Sequence, residues 1–457
     1  MAVKGTDLAK KLPESGKKNC KECGFPTCFA FAMKLASGAA TLDKCPHLAP
    51  EVAEELEDLL APAQKLISIG SGDRALQVGN EEVVYRHEKT YYHQPGVAIL
   101  IADTEDEATV DEKIRKLNEL SFDVVGLILK PDLVALQFAS GDKARYESLV
   151  KRAVGKTDAG IILISEDLDA LFSARDIVGV GRKPLLYPIT KDNIDAAIPG
   201  IKENPTPVAL RADSVEGLIP LASRFREEKL DDLVLDAGSK TVLDGIRDQT
   251  FMRRAAVKQS FRPLGYPTIV FPCFAAAGDR VKEILMASTF IIKFASIIVL
   301  SDFDESSLLP LLVERLNIYT DPRMPLSVEE KLYEVGEPGA DSPVLITTNW
   351  ALTYFIVSAE IEGSKVPSWL LVKDSEGLGV LTAWAAGKFN GDAIGPFLKA
   401  SGVEDKTKTR TLVIPGKVSR IKGELEDALP GWKIVVGPRE SSEIPGWLPG
   451  FAASLKN

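Results

Sequence analysis

The chain has 457 residues, 45% of them apolar and 26% charged, with a formal net charge of −10 and a pI near 5.2. That length is too great for one ordinary core and sets a prior of roughly three domains. The acidic balance argues against a nucleic-acid partner, which requires a basic face.

The first residues carry charge but no apolar signal core, so a cytoplasmic location is expected. In a reducing compartment, clustered cysteines point to metal rather than disulfides. Residues 1–60 are expected to form a small helical module around such a cluster, closing on an amphipathic helix ahead of Pro62. CKECGFPTC places three cysteines in nine positions, and Cys45 follows, giving C-x2-C-x4-C-x16-C. Four thiolates serve either structural zinc or an iron–sulfur cluster. Zinc sites usually join two tight C-x2-C pairs. Three close ligands, one remote, and Pro46 directly after the last follow the ferredoxin habit instead, although the spacing differs. Gly24, Phe25, Phe29, Ala30 and Phe31 supply small and apolar surroundings. Cys20, Cys23, Cys28 and Cys45 are therefore expected to ligate a 4Fe-4S cluster, with zinc as the alternative.

Residues 61–95 read as a connecting hairpin: a strand, a turn at Gly79-Asn80, and a second strand. The three histidines are His47, His87 and His93, and none follows. Ser/His or Cys/His catalysis and histidine metal sites are thus excluded from everything beyond residue 93. His47 reads as a solvated helix-end residue.

From 96 to 313, eight short apolar runs recur every 25 to 40 residues between helical stretches. They begin with VAILIAD (97–103) and LVALQFA (133–139) and end with TIVFPCF (268–274) and SIIVLSDF (296–303). Continuous apolar strands alternating with helices mean a parallel sheet covered on both faces. Eight units over this length predict a (β/α)8 TIM-type barrel in preference to an open doubly wound sheet. Within this region, residues 284–300, the most apolar stretch of the chain, are interrupted by Ser288, Lys293 and Ser296; they read as a buried helix running into a buried strand, not as a membrane span. The strand ends carry Asp103, Ser165, Thr190, Arg211, Asp213, Asp236, Asp302 and Asp304. Such residues either face a functional mouth or cap the following helices, and they assemble into no catalytic set. Cys273, with no histidine nearby, reads as a buried small hydrophobe.

Residues 314–343 hold four prolines and are expected to be a linker. Residues 344–457 then read as a Rossmann-like domain of four strands and three helices, giving an α/β chain overall. Its strand ends carry Thr347, Thr348 and Asn349, then Ser375, Glu376, Gly377, Leu378 and Gly379, then Gly416 and Gly437. Ligands of open α/β sheets sit at strand carboxyl ends, and glycines there permit close backbone approach. The G-x-G of EGLGVLT is a weak dinucleotide signal, because it lies in the second βα turn. A broad, flat ligand held by backbone amides suits the pattern better.

NCKECGFPTCFAFAMKL with DKCPHL, the barrel, and ITTNWALTYF with KDSEGLGVLTAWAAGKF together resemble a known family over essentially the full chain. It is the large (gamma) subunit family of the corrinoid iron–sulfur protein of anaerobic acetyl-CoA synthesis, the Wood–Ljungdahl pathway. The resemblance implies a base-off, cobalamin-type corrinoid in the C-terminal domain. Its cobalt(I) would accept a methyl group from methyltetrahydrofolate through a methyltransferase and pass it to the nickel site of acetyl-CoA synthase. The 4Fe-4S cluster would serve reductive reactivation of cobalt(II). Cys20, Cys23, Cys28 and Cys45 would hold that cluster. Thr347, Thr348, Asn349, Ser375, Glu376, Gly377, Leu378, Gly379, Thr382, Gly416 and Gly437 would contact the corrinoid. Implied partners are a small barrel subunit in a heterodimer, the methyltransferase, acetyl-CoA synthase/CO dehydrogenase and a reductive activator. The chain would be a carrier rather than an independent catalyst, with its corrinoid domain swinging on the 314–343 linker. The missing histidine agrees, since cobalt without a strong axial donor is easier to reduce. Two other readings remain: an iron–sulfur barrel oxidoreductase with a nucleotide in the C-terminal domain, and a zinc-stabilised scaffold.

Overall fold

The computed structural model describes residues 4–37, 39–124 and 126–455; the extreme ends of the first and last expected segments, 1–3 and 456–457, lie outside the described residues. The chain forms two compact units. One runs to Phe122 and resumes over Leu129–Tyr319; the other comprises Asp123–Ile128 and the chain from Thr320 onward. Among the described residues, no helix is long and apolar enough to cross a membrane.

The first unit opens with helices Gly5–Lys11, Cys28–Ala36 and Pro50–Leu60, which share a small core of Leu8, Phe31, Ala32, Leu35 and Leu56. A hairpin follows, but with different strands from those expected. Ile67–Ile69 pairs antiparallel with Leu76–Val78, and the Gly79-Asn80 turn leads to no second strand. The reason is burial: Ile67, Ile69 and Val78 are drawn into the interior of the barrel. Beyond the turn a side chain replaces a ladder, because the Glu81 carboxylate accepts the amide N–H groups of Tyr92 (2.9 Å) and His93 (3.0 Å).

The barrel strands are β1 (Gly96–Ala102), β2 (Leu133–Gln137), β3 (Gly160–Ile164), β4 (Leu185–Ile189), β5 (Val208–Arg211), β6 (Leu233–Asp236), β7 (Ile269–Val270) and β8 (Ile297–Leu300). They lie parallel in the order β6-β5-β4-β3-β2-β1-β8-β7. A bridge between Leu235 and Thr268, with the Leu235 N–H donating to Pro267 O at 2.9 Å, joins the two ends of that order. The result is the expected eight-fold barrel. Alternate strand residues fill it, small beside large: Ala98 and Leu100, Leu133 and Ala135, Ala209, Val234, Ile297 and Val299. Seven of the intervening helices start on side-chain caps, and helix Ile194–Glu203 does not; Asp106, Asp142, Asp167, Ser214, Thr241, Asp279 and Asp304 each accept a first-turn N–H. Strand β7 is shorter than the apolar run around it. Pro272, which has no N–H to give a ladder, opens a helical turn over Pro272–Ala275, and Cys273 lies in that turn.

Residues 314–343 are not a plain link. Those up to Ile318 finish the last barrel helix, and Lys331–Val335 forms strand β9. With β10 (Val344–Thr348), β11 (Ser368–Lys373), β12 (Thr411–Ile414) and β13 (Lys433–Val436), it makes a five-stranded sheet in the order β9-β11-β10-β12-β13. Only β9 is antiparallel. It is the strand missing from the expected four. Its period of two is short, half-exposed and flanked by prolines. One face of the sheet packs Ile346, Leu371, Phe389 and Leu412; the other packs Leu345, Val372, Val413, Ile361 and Leu448.

Arg315 ties the start of the barrel to its last helix. Buried at 5% exposure, it donates to Pro95 O (2.9 Å), Lys130 O (3.1 Å) and Asp132 Oδ2 (2.5 Å). The same carboxylate oxygen accepts the Val97 N–H at 2.9 Å. Removing one partner of a buried pair strands the other, at about 3–5 kcal/mol. Arg315→Met is expected to lower the thermal midpoint of the barrel transition by on the order of 10 °C, and Arg315→Met with Asp132→Asn by less. Differential scanning calorimetry of the full chain checks this, and equal losses in both variants would refute it.

Candidate functional site

Two recesses collect the residues singled out in the sequence, one in each unit.

The first lies in the N-terminal module. Cys20, Cys23, Cys28 and Cys45 all line one recess, together with Leu12, Phe25 and Phe31. Phe25 and Phe31 are in tilted contact, with ring centroids 5.4 Å apart. Phe29, expected beside them, is half-exposed and does not line the recess. The loop carrying the first two cysteines turns through positive φ at Asn19 (47°), Lys21 (68°) and Gly24 (82°), which lets a short segment wrap inward. Asn19 clamps Cys28 from both sides: its Oδ1 accepts the Cys28 N–H at 2.8 Å, and its own N–H donates to Cys28 Sγ at 3.4 Å. Cys28 is also the first residue of helix Cys28–Ala36.

The sulfur spacing bears on what this recess can hold. Among the described residues, the only set of three or more His, Cys, Asp or Glu side chains with ligand atoms all within 4.8 Å of one another is Cys20, Glu22 and His47. The four thiols are therefore spread more widely than sulfurs sharing one zinc, which lie about 3.8 Å apart when each bond is about 2.3 Å. His47 Nε2 lies 3.0 Å from Glu22 Oε2.

The second recess follows from sheet topology. The chain runs from β10 to β11 on one side, then crosses back to β12 and β13 on the other. The winding reverses between β10 and β12, and a crevice opens outside the carboxyl ends of those strands. A cleft of about 350 Å³ lies there.

The eleven strand-end residues divide into two groups. Thr347, Gly379, Thr382 and Gly437 line the cleft; Thr348, Asn349, Ser375, Glu376, Gly377, Leu378 and Gly416 do not. Hydrogen bonding explains part of the division. Asn349 Oδ1 accepts from Ser375 N (2.9 Å), Ser375 Oγ (2.9 Å) and Gly377 N (3.0 Å), and Asn349 Nδ2 donates to Asp374 Oδ1 (2.8 Å). That amide is fully used in bracing the turn that delivers Gly379 to the cleft. Glu376 pairs with Lys388, and Leu378 packs into the core. Gly416 serves loop contact: a Cβ there would meet Gly437 O at 2.6 Å and Pro438 O at 2.7 Å. Thr347 is the opposite of Asn349. It is 2% exposed, lines the cleft, and its Oγ1 has no partner among the described residues. The Thr348 hydroxyl is also unpartnered, but away from the cleft.

Sequence reasoning missed the side wall. Helix Ala351–Gly363 is apolar nearly all round, yet only Ala351 and Ile361 are buried. Thr353, Ile356 and Val357 line the cleft, with Trp350 ahead of them, and Ile356 is 42% exposed. A helix without a polar face normally has cover on all sides, and that was the available signal.

Among the described residues, Asp103, Asp236 and Asp304 at the barrel strand ends are engaged within the fold. Asp103 accepts from Ala139 N, Ser140 N and Ser140 Oγ, and Asp304 caps its helix at Ser307. Asp236, pushed up by burial, accepts from Tyr187 Oη (2.8 Å) and Gly238 N (2.8 Å). Burial, with the charge of Glu283 added, pushes the Cys273 thiol far above its ordinary range, and Cys273 packs against the barrel interior.

The family described as the CO dehydrogenase/acetyl-CoA synthase delta subunit matches residues 66–448, and one described as a putative Fe-S cluster matches residues 16–47. The chain is 40% identical to a corrinoid/iron-sulfur protein large subunit of Moorella thermoacetica, over 97% of this chain and 98% of that protein. It is 37% identical to an acetyl-CoA decarbonylase/synthase complex subunit gamma of Methanopyrus kandleri, over 97% and 96%. Among solved structures, a 7,8-dihydropteroate synthase from Vibrio fischeri ES114 matches with a TM-score of 0.37 and 13% identity, over 56% of this chain and 100% of that one. The chain belongs to the CO dehydrogenase/acetyl-CoA synthase delta subunit family, alongside the corrinoid/iron-sulfur protein large subunit and the acetyl-CoA decarbonylase/synthase gamma subunits it matches along nearly their whole length.

Proposed function

We propose that this chain is the corrinoid-bearing, iron–sulfur large subunit of a methyl carrier in acetyl-CoA synthesis. The observation that carries the reading is the pairing, on one chain, of a four-cysteine recess with a histidine-free cleft at a topological switch point. Near full-length similarity to a corrinoid/iron-sulfur large subunit supports it.

The residues present fit both groups. Four thiols spread beyond zinc distance suit a 4Fe-4S cluster. An unpartnered buried hydroxyl, an apolar helix face and strand-end glycines suit a broad, flat macrocycle edged with amides. When bound, the corrinoid supplies a cobalt nucleophile that takes up and gives away a methyl group, and the cluster supplies single electrons.

The chain's own residues bind, orient and shield. Cys20, Cys23, Cys28 and Cys45 hold the cluster, with the Asn19 N–H and the helix start favouring charge on the Cys28 sulfur. Phe25 and Phe31 keep water from it. Thr347, Gly379, Thr382 and Gly437 contact the corrinoid, while Asn349, Ser375 and Gly377 fix the loop behind them. The cleft offers cobalt no imidazole, in keeping with a base-off form without a strong protein ligand. The donor methyltransferase, the accepting acetyl-CoA synthase, a small barrel subunit and a reductive activator are the proposed partners, and the chain acts as a carrier.

Anaerobically purified protein is expected to hold about four iron and one cobalt per chain, with a corrinoid spectrum. Cys45→Ser is expected to lose most of the iron and leave cobalt unchanged. Zinc without colour would overturn the redox reading, and iron without cobalt in a corrinoid-fed preparation would overturn the carrier. For Thr347→Val, stability and affinity are expected to move oppositely. Removing a buried, unpartnered hydroxyl raises apoprotein stability by about 1 kcal/mol, while corrinoid affinity falls about three- to tenfold. Denaturant titration and equilibrium loading check the two arms, and unchanged affinity would remove Thr347 from the contact set.

A further inference from the structure

All the charged residues lining the cleft lie at one edge. Lys417 follows β12; Arg439 and Glu440 follow β13; the rest of the lining is uncharged. The two loops are in direct backbone contact, since the Gly416 N–H donates to Pro438 O at 2.9 Å and a Cβ at 416 would collide with both Gly437 O and Pro438 O. That contact puts Lys417 and Arg439 on a common rim.

Their partners differ. Lys417 Nζ lies 2.8 Å from Glu440 Oε2. The Glu440 side chain also accepts the Glu443 N–H in a capping box at the start of the C-terminal helical segment. The Lys417 and Glu440 charges are thus matched, and Glu440 is committed to a cap. Arg439 is exposed, lines the cleft, and makes no hydrogen bond or ion pair among the described residues. A neutral cleft with one uncompensated guanidinium on its rim fits a ligand that is neutral over most of its surface and anionic at one peripheral point.

A corrinoid has that charge distribution. Its ring carries neutral amide arms, and the one arm that bears the nucleotide contains a phosphodiester. We infer that Arg439, with Lys417 beside it, holds the phosphodiester of the nucleotide arm at the β12–β13 edge of the cleft; this rests on the corrinoid reading above. A guanidinium offers paired N–H donors to two phosphate oxygens, a geometry that lysine lacks. The inference fixes which way the ring lies: the nucleotide arm at the loops after β12 and β13, the opposite rim toward helix Ala351–Gly363. It also gives the chain a means of telling complete corrinoids from those without the arm.

The test compares two probes on the full-length chain, with any subunit that copurifies, prepared without corrinoid. One probe is cobalamin. The other is cobinamide, the same macrocycle lacking the nucleotide. Binding is read by absorbance and by cobalt retained after gel filtration. Arg439→Gln is expected to weaken cobalamin about three- to tenfold, as for a partly exposed charge-assisted contact, and to change cobinamide less than about twofold on the same basis. Arg439→Lys restores part of the loss. Added salt narrows the wild-type preference for cobalamin but not that of Arg439→Gln. Unchanged cluster absorbance and circular dichroism show that the variants are folded. If Arg439→Gln weakens both probes equally, or neither, the inference is wrong and the corrinoid reading stands. If wild-type protein binds neither probe, the corrinoid reading fails and takes the inference with it.

Discussion

Parallel strands cannot be joined by a tight turn; each pair needs a crossover, and so the carboxyl ends of all the strands gather at one edge. This chain uses that constraint twice, with opposite results. In the barrel the winding never reverses. The strands follow one another round to a ring whose interior is filled by their own side chains. In the C-terminal sheet the winding reverses between β10 and β12, and neighbouring crossovers leave in opposite directions. A crevice must open there. The same βα rhythm thus gives a packed scaffold in one unit and an open cleft in the other.

Within the cleft, chain neighbours take opposite roles according to how their polar atoms are satisfied. Thr347 and Asn349 are two residues apart and both buried. Every amide atom of Asn349 is engaged across the turn at residues 374–377, while the Thr347 hydroxyl has nothing. A buried polar group left without a partner costs about 1–3 kcal/mol. Of the two neighbouring hydroxyls left so, Thr347 Oγ1 is the one whose residue lines the cleft.

Much of this could be read from the sequence, and what could not has physical reasons. Buried parallel strands appear as continuous apolar runs, so the eight barrel strands and β10 to β13 stood out. Strand β9 did not, because a half-exposed edge strand has only a weak alternation and its partner, β11, lies more than thirty residues away. The partner of Leu76–Val78 was misplaced because Ile67–Ile69 is a run of only three residues, and its burial depends on a barrel that lies later in the chain. Thr347 could be named but not separated from Asn349, since the bonds that distinguish them span 25 to 28 residues. Arg439 carried no signal, because a lone arginine in a loop gains meaning only when the loops meet at Gly416.

Charge connects the two recesses. The chain carries a net −10, yet the cysteine recess includes Lys18 and Lys21 in its lining, and the cleft rim has Arg439 beside the matched pair Lys417 and Glu440. A four-thiolate cluster is anionic, and each electron added makes it more so. In a uniformly acidic protein the summed field would oppose both cluster assembly and reduction. Lysines at the mouth, the N–H of Asn19 on Cys28 Sγ and the start of helix Cys28–Ala36 supply positive potential at short range. Nearby charges and oriented N–H groups act with full weight at a shielded site, whereas distant acidic groups are screened within about 8–10 Å at ordinary ionic strength. The acidic exterior and the positive groups in these linings are therefore compatible: solvent screens the first, and the second act at short range.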